Sequence, residues 1–126
     1  MLLFKKKFIE QIKSGEKTQT IRLWKYCRMK VGQKSYIAGV GYIRIDSTER
    51  VELASLTDAD AVLDGFVSAD ALLSELRDLY GVDVLAKLTP YKIRFSVYPP
   101  SEQERIVKEQ QEKREQLAGL YRNFNF

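Results

Sequence analysis

The chain has 126 residues, enough for one domain with a real core and too few for two ordinary ones. With 44% hydrophobic and 30% charged residues it is composed like an ordinary globular protein, and a net charge of +4 leans mildly towards anionic partners. It holds no histidine and one cysteine, Cys27, which excludes Ser-His and Cys-His nucleophile pairs, imidazole proton transfer, His-ligated zinc and an intrachain disulfide.

The charge is unevenly spread: residues 1–34 carry ten Lys or Arg against two acids, and residues 35–126 carry eleven against fifteen. The basic character is N-terminal. No stretch reaches the roughly 18 apolar residues of a spanning helix. The opening Met1-Leu2-Leu3-Phe4-Lys5-Lys6-Lys7 runs in the reverse order of a secretory signal, so a cytoplasmic, membrane-free protein is expected. Any catalysis must draw on Lys, Thr, Ser, Tyr, Asp or Glu, and no metal or organic cofactor is implied.

Phe8, Ile9 and Ile12 lie at helical spacing ahead of Gly15, which predicts a short helix over about 6–14 with a glycine cap. The period then changes to two, with Ile21 and Leu23 on one strand face and Thr18, Thr20, Arg22 and Trp24 on the other. Gly32 marks a turn, and Tyr36 to Ile45 reads as one strand in which Gly39 and Gly41 mark bulges or a close approach of backbone. A polar turn at Asp46-Ser47-Thr48-Glu49 and a short strand around Val51 and Leu53 follow.

Ser68 caps a helix whose apolar stripe is Ala69, Leu72, Leu73, Leu76, Leu79 and Tyr80, closed by Gly81. Tyr91 to Tyr98 alternates cleanly, so Tyr91, Ile93, Phe95 and Val97 are expected to face the core, with Lys92 and Arg94 meeting water. Pro99 and Pro100 stop the sheet, and Ser101-Glu102-Gln103-Glu104 reads as a capping box opening a last helix. Residues 108–116 contain no apolar side chain, so this helix docks only at its ends, through Ile106 and Val107 and through Leu117, Leu120, Tyr121 and Phe124. The expected division is a domain at 1–98 and a charged helix and tail at 99–126, with residues 101–121 a possible protein contact.

The segment Gly15-Glu16-Lys17-Thr18-Gln19-Thr20-Ile21-Arg22 closely resembles the signature of the ASCH domain family, written Gly-x-Lys-x-x-Glu-x-Arg. Gly15, Lys17 and Arg22 match, and Thr20 stands where many members carry Glu. A small bacterial branch of amidohydrolases that deacetylate N4-acetylcytidine similarly has Lys-Thr-x-Thr-Ile-Arg, matched by Lys17-Thr18-Gln19-Thr20-Ile21-Arg22. The resemblance spans roughly residues 2–98, including the Leu56-Thr57 and Asp64-Gly65-Phe66 segments. It implies an α+β fold built on a small PUA-like β-barrel with flanking helices, to which the C-terminal helix is extra, in a class associated with RNA and modified-nucleoside recognition. In the amidohydrolase branch the acid aligns near Asp64, one methylene shorter than the Glu expected there, and its Asp-Gly setting is also ordinary turn chemistry.

Read physically, Lys17, Thr20 and Arg22 offer two cations and a hydroxyl to a phosphate or base edge. Trp24, Tyr26 and Tyr42 supply stacking surfaces, and Lys25, Arg28, Lys30 and Lys34 can follow a phosphate backbone, a mixture that suits single-stranded RNA. The plainer alternative makes Trp24 core and the lysines a solvated face. Four functions therefore stand: an RNA- or nucleoside-binding module; an amidohydrolase in which Lys17 takes a proton from Thr20 or water while Asp64 assists the leaving amine; a metal-independent ribonuclease using Lys17 with a nearby Tyr or Ser; and an adaptor whose C-terminal helix pairs with a partner or with itself. Cys27 has no histidine to activate it and is assigned no role.

Overall fold

The computed structural model describes residues 2–124, with side chains described through residue 120. The fold is α+β: a four-stranded antiparallel sheet curls into a half-barrel, flanked by helices, with a long helix at the C-terminus. In chain order the strands are β1 (Gln19–Trp24), β2 (Lys34–Ile37), β3 (Gly41–Arg50) and β4 (Thr89–Val97). They lie in the order β1-β4-β3-β2, so the last strand is central and β1 is an edge. The helices among the described residues are α1 (Ile9–Ser14), α2 (Asp58–Leu63), α3 (Ala69–Tyr80), α4 (Val82–Lys87) and α5 (Pro100–Phe124).

The predicted N-terminal helix forms as a 3-10 turn, Lys6–Phe8, running into α1. Gly15 ends it at φ 83°, a left-handed conformation that β-carbon-bearing residues resist. Helix α3 starts where expected, with the Ser68 side chain accepting from the Ala71 amide, and buries Leu72 and Leu76. Leu79 of its stripe stays exposed. On β4, Ile93 and Phe95 are buried and Tyr91 and Val97 pack against the core, but Lys92 between Tyr91 and Ile93 is buried too, which breaks the alternation.

Several expectations are corrected. The single strand over 36–45 is a hairpin, because Gly39 at φ 86° turns the chain and the Val40 amide bonds back to Ile37 O, leaving Ile37 opposite Gly41. The polar run 46–49 is not a turn but the second half of β3, carried past a bulge between Ile45 and Ser47 that shifts the register against β4. Val51 and Leu53 make no strand; a 3-10 turn, Leu53–Ser55, stands there. Lys92 does not meet water: it is buried, and its Nζ lies 2.8 Å from Asp60 Oδ1. Helices α2 and α4 were not anticipated.

The capping box at Ser101 does not form, because the helix begins two residues earlier than a Ser101 cap requires. Pro100 takes the first helical position, and Glu102 and Gln103 both donate their amides to Pro99 O. Gln103, in the first turn of this helix, holds the sheet. Its Oε1 accepts from the Tyr42 amide at 2.8 Å, and its Nε2 donates to Tyr42 O and Tyr98 O at 2.8 and 2.9 Å. Ile106 is buried one turn on, and Tyr42 Oη bonds Gln110 Oε1 at 2.7 Å. Val107, Leu117 and Leu120 are exposed, so among the described side chains the docking contacts come from the first half of α5; Tyr121 and Phe124 lie outside the described side chains.

The interior has two apolar clusters. One fills the concave sheet with Leu2, Phe8, Ile12, Met29, Ile37, Ile43, Ile45, Ile93 and Phe95. The other sets Ile21 and Leu23 of β1 against Leu56, Ala61, Leu72 and Leu76. Phe66 packs on both, and the candidate site lies at this seam. No helix among the described residues is long and apolar enough to cross a membrane.

Candidate functional site

Helix α2 opens with a reciprocal cap: Thr57 Oγ1 accepts from the Asp60 amide while the Asp60 carboxylate accepts from the Thr57 amide. It ends at Asp64, where Gly65 reverses the chain at φ 90°. Its two ends are each met by a lysine from the sheet side. Lys92 takes Asp60, as above. Lys17 Nζ donates to Asp64 Oδ1 at 2.6 Å and also to the Asp64 main-chain carbonyl, one of the acceptors a helix terminus leaves free. The backbone fixes Lys17 here, since its amide donates to Gln11 O and the next amide, of Thr18, donates to Leu63 O.

Lys17 and Asp64 are each only 2% exposed. The ammonium sits among three rings, 4.7 Å from the centroid of Phe8, 5.7 Å from Phe4 and 6.0 Å from Phe66, faces that favour its charge. Burial nonetheless pushes the Lys17 amine below its ordinary range and the Asp64 carboxyl above its own, the ion pair opposing both shifts. The two groups are thus driven towards sharing one proton. Asp64 Oδ2 is buried without a partner, as is Gln19 Oε1 beside it, while Gln19 Nε2 donates to Asp60 O at 3.2 Å.

Thr20 and Arg22 follow on β1. Arg22 Nε donates to Thr20 Oγ1 at 3.0 Å, Nη2 donates to Leu3 O at 2.7 Å, and the guanidinium carbon lies 4.8 Å from the Phe4 centroid. With one lone pair of Thr20 Oγ1 so occupied, its hydroxyl proton is left for another acceptor. Burial lowers the Arg22 pKa from its ordinary value, with Tyr80 and Asp64 opposing.

A cavity of about 330 Å³ opens at this point. Thr20, Arg22 and Asp64 form its polar side, and Ile21, Phe66, Leu72 and Leu76 its apolar side. The N-terminal residues Leu3, Phe4 and Lys5 make the rim, which is tied to α3 because Lys5 and Lys7 both reach Glu75 Oε1, at 2.7 and 3.2 Å. The volume falls in the range of small-molecule sites.

The four motif residues Lys17, Thr20, Arg22 and Asp64 are therefore brought together, with Lys17 behind the cavity wall and not on the cavity surface. The remaining sequence candidates lie elsewhere. Trp24 is half-buried against Tyr91, with centroids 6.0 Å apart. Lys25, Tyr26 and Arg28 are exposed beyond the end of β1, and Tyr42 pairs with Tyr36 and α5. Gln19, Phe4, Phe66 and Tyr80 are site residues that the sequence reading omitted. A Gln on a strand between two Thr carries no signal of burial, and the rings come from segments distant in sequence. Among the described residues, no three His, Cys, Asp or Glu side chains cluster in a way that would hold a metal ion.

No protein-family model matches the chain, and no curated protein sequence matches it significantly. Among solved structures, the crystal structure of hypothetical protein PH0355 superposes with a TM-score of 0.64 at 19% identity, over 76% of this chain and 95% of that one. At that identity the likeness establishes a shared fold, and the chain takes the same α+β architecture as PH0355 over most of its length.

Proposed function

We propose that the chain binds a nucleoside, free or as a residue of RNA, in the cavity between β1, α3 and the N-terminal segment. The observation that carries this reading is the fixed Arg22 guanidinium beside Thr20 in the lining of a cavity that Leu72 and Leu76 also line. A flat heterocycle lies well against Leu72 and Leu76, while its polar edge or sugar meets the Arg22 and Thr20 groups. The resemblance of Gly15 to Arg22 to the ASCH signature points to the same ligand class. Calorimetric titration with cytidine, N4-acetylcytidine and uridine tests it. Binding is expected to be lost in Arg22→Ala and kept in Arg94→Ala, which changes an exposed arginine outside the cavity. Absence of binding by all three, or binding indifferent to Arg22→Ala, overturns the reading.

A second reading, hydrolysis of an acylated nucleoside, is favoured by the buried Lys17–Asp64 pair with its opposed pKa shifts next to a hydroxyl. Neutral Lys17 would accept the Thr20 proton as Oγ1 attacks the acyl carbon. The carbon–nitrogen bond then breaks with Asp64 supplying the proton to the leaving amine, and water releases the acyl group from Thr20. Chromatography of N4-acetylcytidine after incubation, with Lys17→Ala and Thr20→Val as controls, decides it. Product formed equally by both variants removes this mechanism, and the same chromatograms with RNA as substrate report strand cleavage.

A further inference from the structure

The loop joining β1 to β2, residues 25–33, takes no part in the cavity, yet it carries Lys25, Arg28 and Lys30 and no acid. From Lys17 to Ile45 the sequence has no acidic residue. Lys25, Arg28, Lys30 and the first residue of β2, Lys34, are all exposed, and none forms an ion pair among the described residues. Tyr26 stands among them 71% exposed, with Lys25 Nζ 5.8 Å from its ring, and Tyr36 is exposed two residues beyond Lys34.

This loop is held in place. Met29 is buried in the main core, the Gln33 amide closes a turn on Lys30 O, and Gln33 Oε1 accepts from the Lys30 amide. The Gly32 amide bonds Ile45 O at 2.7 Å and the Ile45 amide bonds Gln33 O at 2.9 Å, stitching the turn to β3. A row of cations and an exposed ring on fixed backbone is a preorganised surface, where little conformational freedom remains to be lost on binding.

We infer that the 25–34 loop is a docking surface for single-stranded RNA, distinct from the cavity, with its lysines and Arg28 on phosphates and Tyr26 stacking on a base. The surface is argued from charge, exposure and anchoring alone. Its link to the cavity rests on the nucleoside reading above: β1 runs from Arg22 directly into this loop, and three extended residues span about 10 Å, so a strand lying on the loop delivers a neighbouring nucleotide to the cavity.

The test is fluorescence anisotropy with a labelled single-stranded RNA of about a dozen nucleotides, titrated over a range of salt, beside a labelled heparin fragment. In the K25A/R28A/K30A/K34A variant the log–log salt slope is expected to fall by about 3, the release expected for four phosphates on a single strand. Tyr26→Ala is expected to weaken RNA roughly tenfold, as one lost stack does, and to leave heparin binding unchanged. A quadruple variant that binds RNA as the parent does, or a Tyr26→Ala that shifts RNA and heparin alike or neither, overturns the inference. Nucleoside titration of the same proteins separates the two readings. Nucleoside bound with no RNA bound at low salt sinks the loop surface alone; loop-dependent RNA binding with no nucleoside bound sinks the cavity reading alone.

Discussion

Replacing Lys17 by Met tests the buried ion pair at the centre of the site. The two side chains are 2% and 3% exposed, so the substitution leaves the Asp64 carboxylate almost wholly desolvated at the cavity wall without its ammonium partner. Removing one member of such a pair costs about 3–5 kcal/mol. In a chain of this size that corresponds to a fall in Tm of roughly 10–20 °C. The loss has a built-in ceiling, because the stranded carboxyl can take a proton at about 1.4 kcal/mol per unit between its pKa and the ambient pH. The sign follows from the raised Asp64 pKa: a carboxyl that binds its proton more tightly when folded loses stability as pH rises from its unfolded value through its folded one. The deficit of Lys17→Met against the parent is therefore small near pH 4 and grows towards neutrality. Adding Asp64→Leu removes the stranded charge and is expected to recover most of the deficit, less about 1–3 kcal/mol for the Asp64 carbonyl left without its donor. Urea unfolding of the parent, both single variants and the double variant, at two pH values, gives the coupling energy directly. A cost for Lys17→Met below about 1 kcal/mol, or a double variant no more stable than the single, would refute the picture of a desolvated pair.

Two further outcomes follow from other contacts. The Asp60 carboxyl, held down to about 2 first by Lys92 and then by the Thr57 amide, contributes stability that is present above its ordinary pKa near 4 and is lost as pH falls towards 2. Lys92→Met is accordingly expected to raise the acid-unfolding midpoint in a circular-dichroism titration, and an unmoved midpoint counts against that assignment. Gln103→Ala deletes three hydrogen bonds to Tyr42 and Tyr98 and leaves the Tyr42 amide without its acceptor, while Tyr42 O keeps the Tyr98 amide. A loss of about 1–3 kcal/mol is expected, with amide exchange in residues 101–110 rising before that of the sheet; uniform exchange would show that the helix is held by something else.

What could be read from the residues tracks how local the determining physics is. Strand β4 and helix α3 were legible because Ile93 and Phe95 of the one and Leu72 and Leu76 of the other are buried at the spacing their periods require, and Ser68 and Gly81 mark the ends of the helix. The hairpin was missed because Gly39 reads equally well as a bulge or a turn until the pairing of Ile37 with Gly41 is known. Helix α2 buries a single residue, Ala61, so it has almost no periodic signal; its Thr57-x-x-Asp60 cap was the available clue. Of the site, Lys17, Thr20, Arg22 and Asp64 were named in advance, the first three from one strand and its approach. Their burial was not, because it is produced by Phe4, Phe8, Phe66 and α3, which only the tertiary fold brings over the motif. For the same reason Lys92 was assigned to solvent, when α2 in fact covers it.

The placement of β4 in the middle of the sheet also governs how the molecule can be assembled. Gln19 of β1 pairs with Arg94, a separation of most of the chain, and β1 has no other strand beside it. During synthesis the motif strand therefore emerges early and waits, apolar face uncovered, until residues 89–97 follow. Such a topology has high contact order and folds slowly for its size. Until then β1 is an unpaired edge of the kind that invites pairing with another chain, and the one charge within it is Arg22. Any fragment ending before residue 97 lacks the strand on which both halves of the sheet are hung.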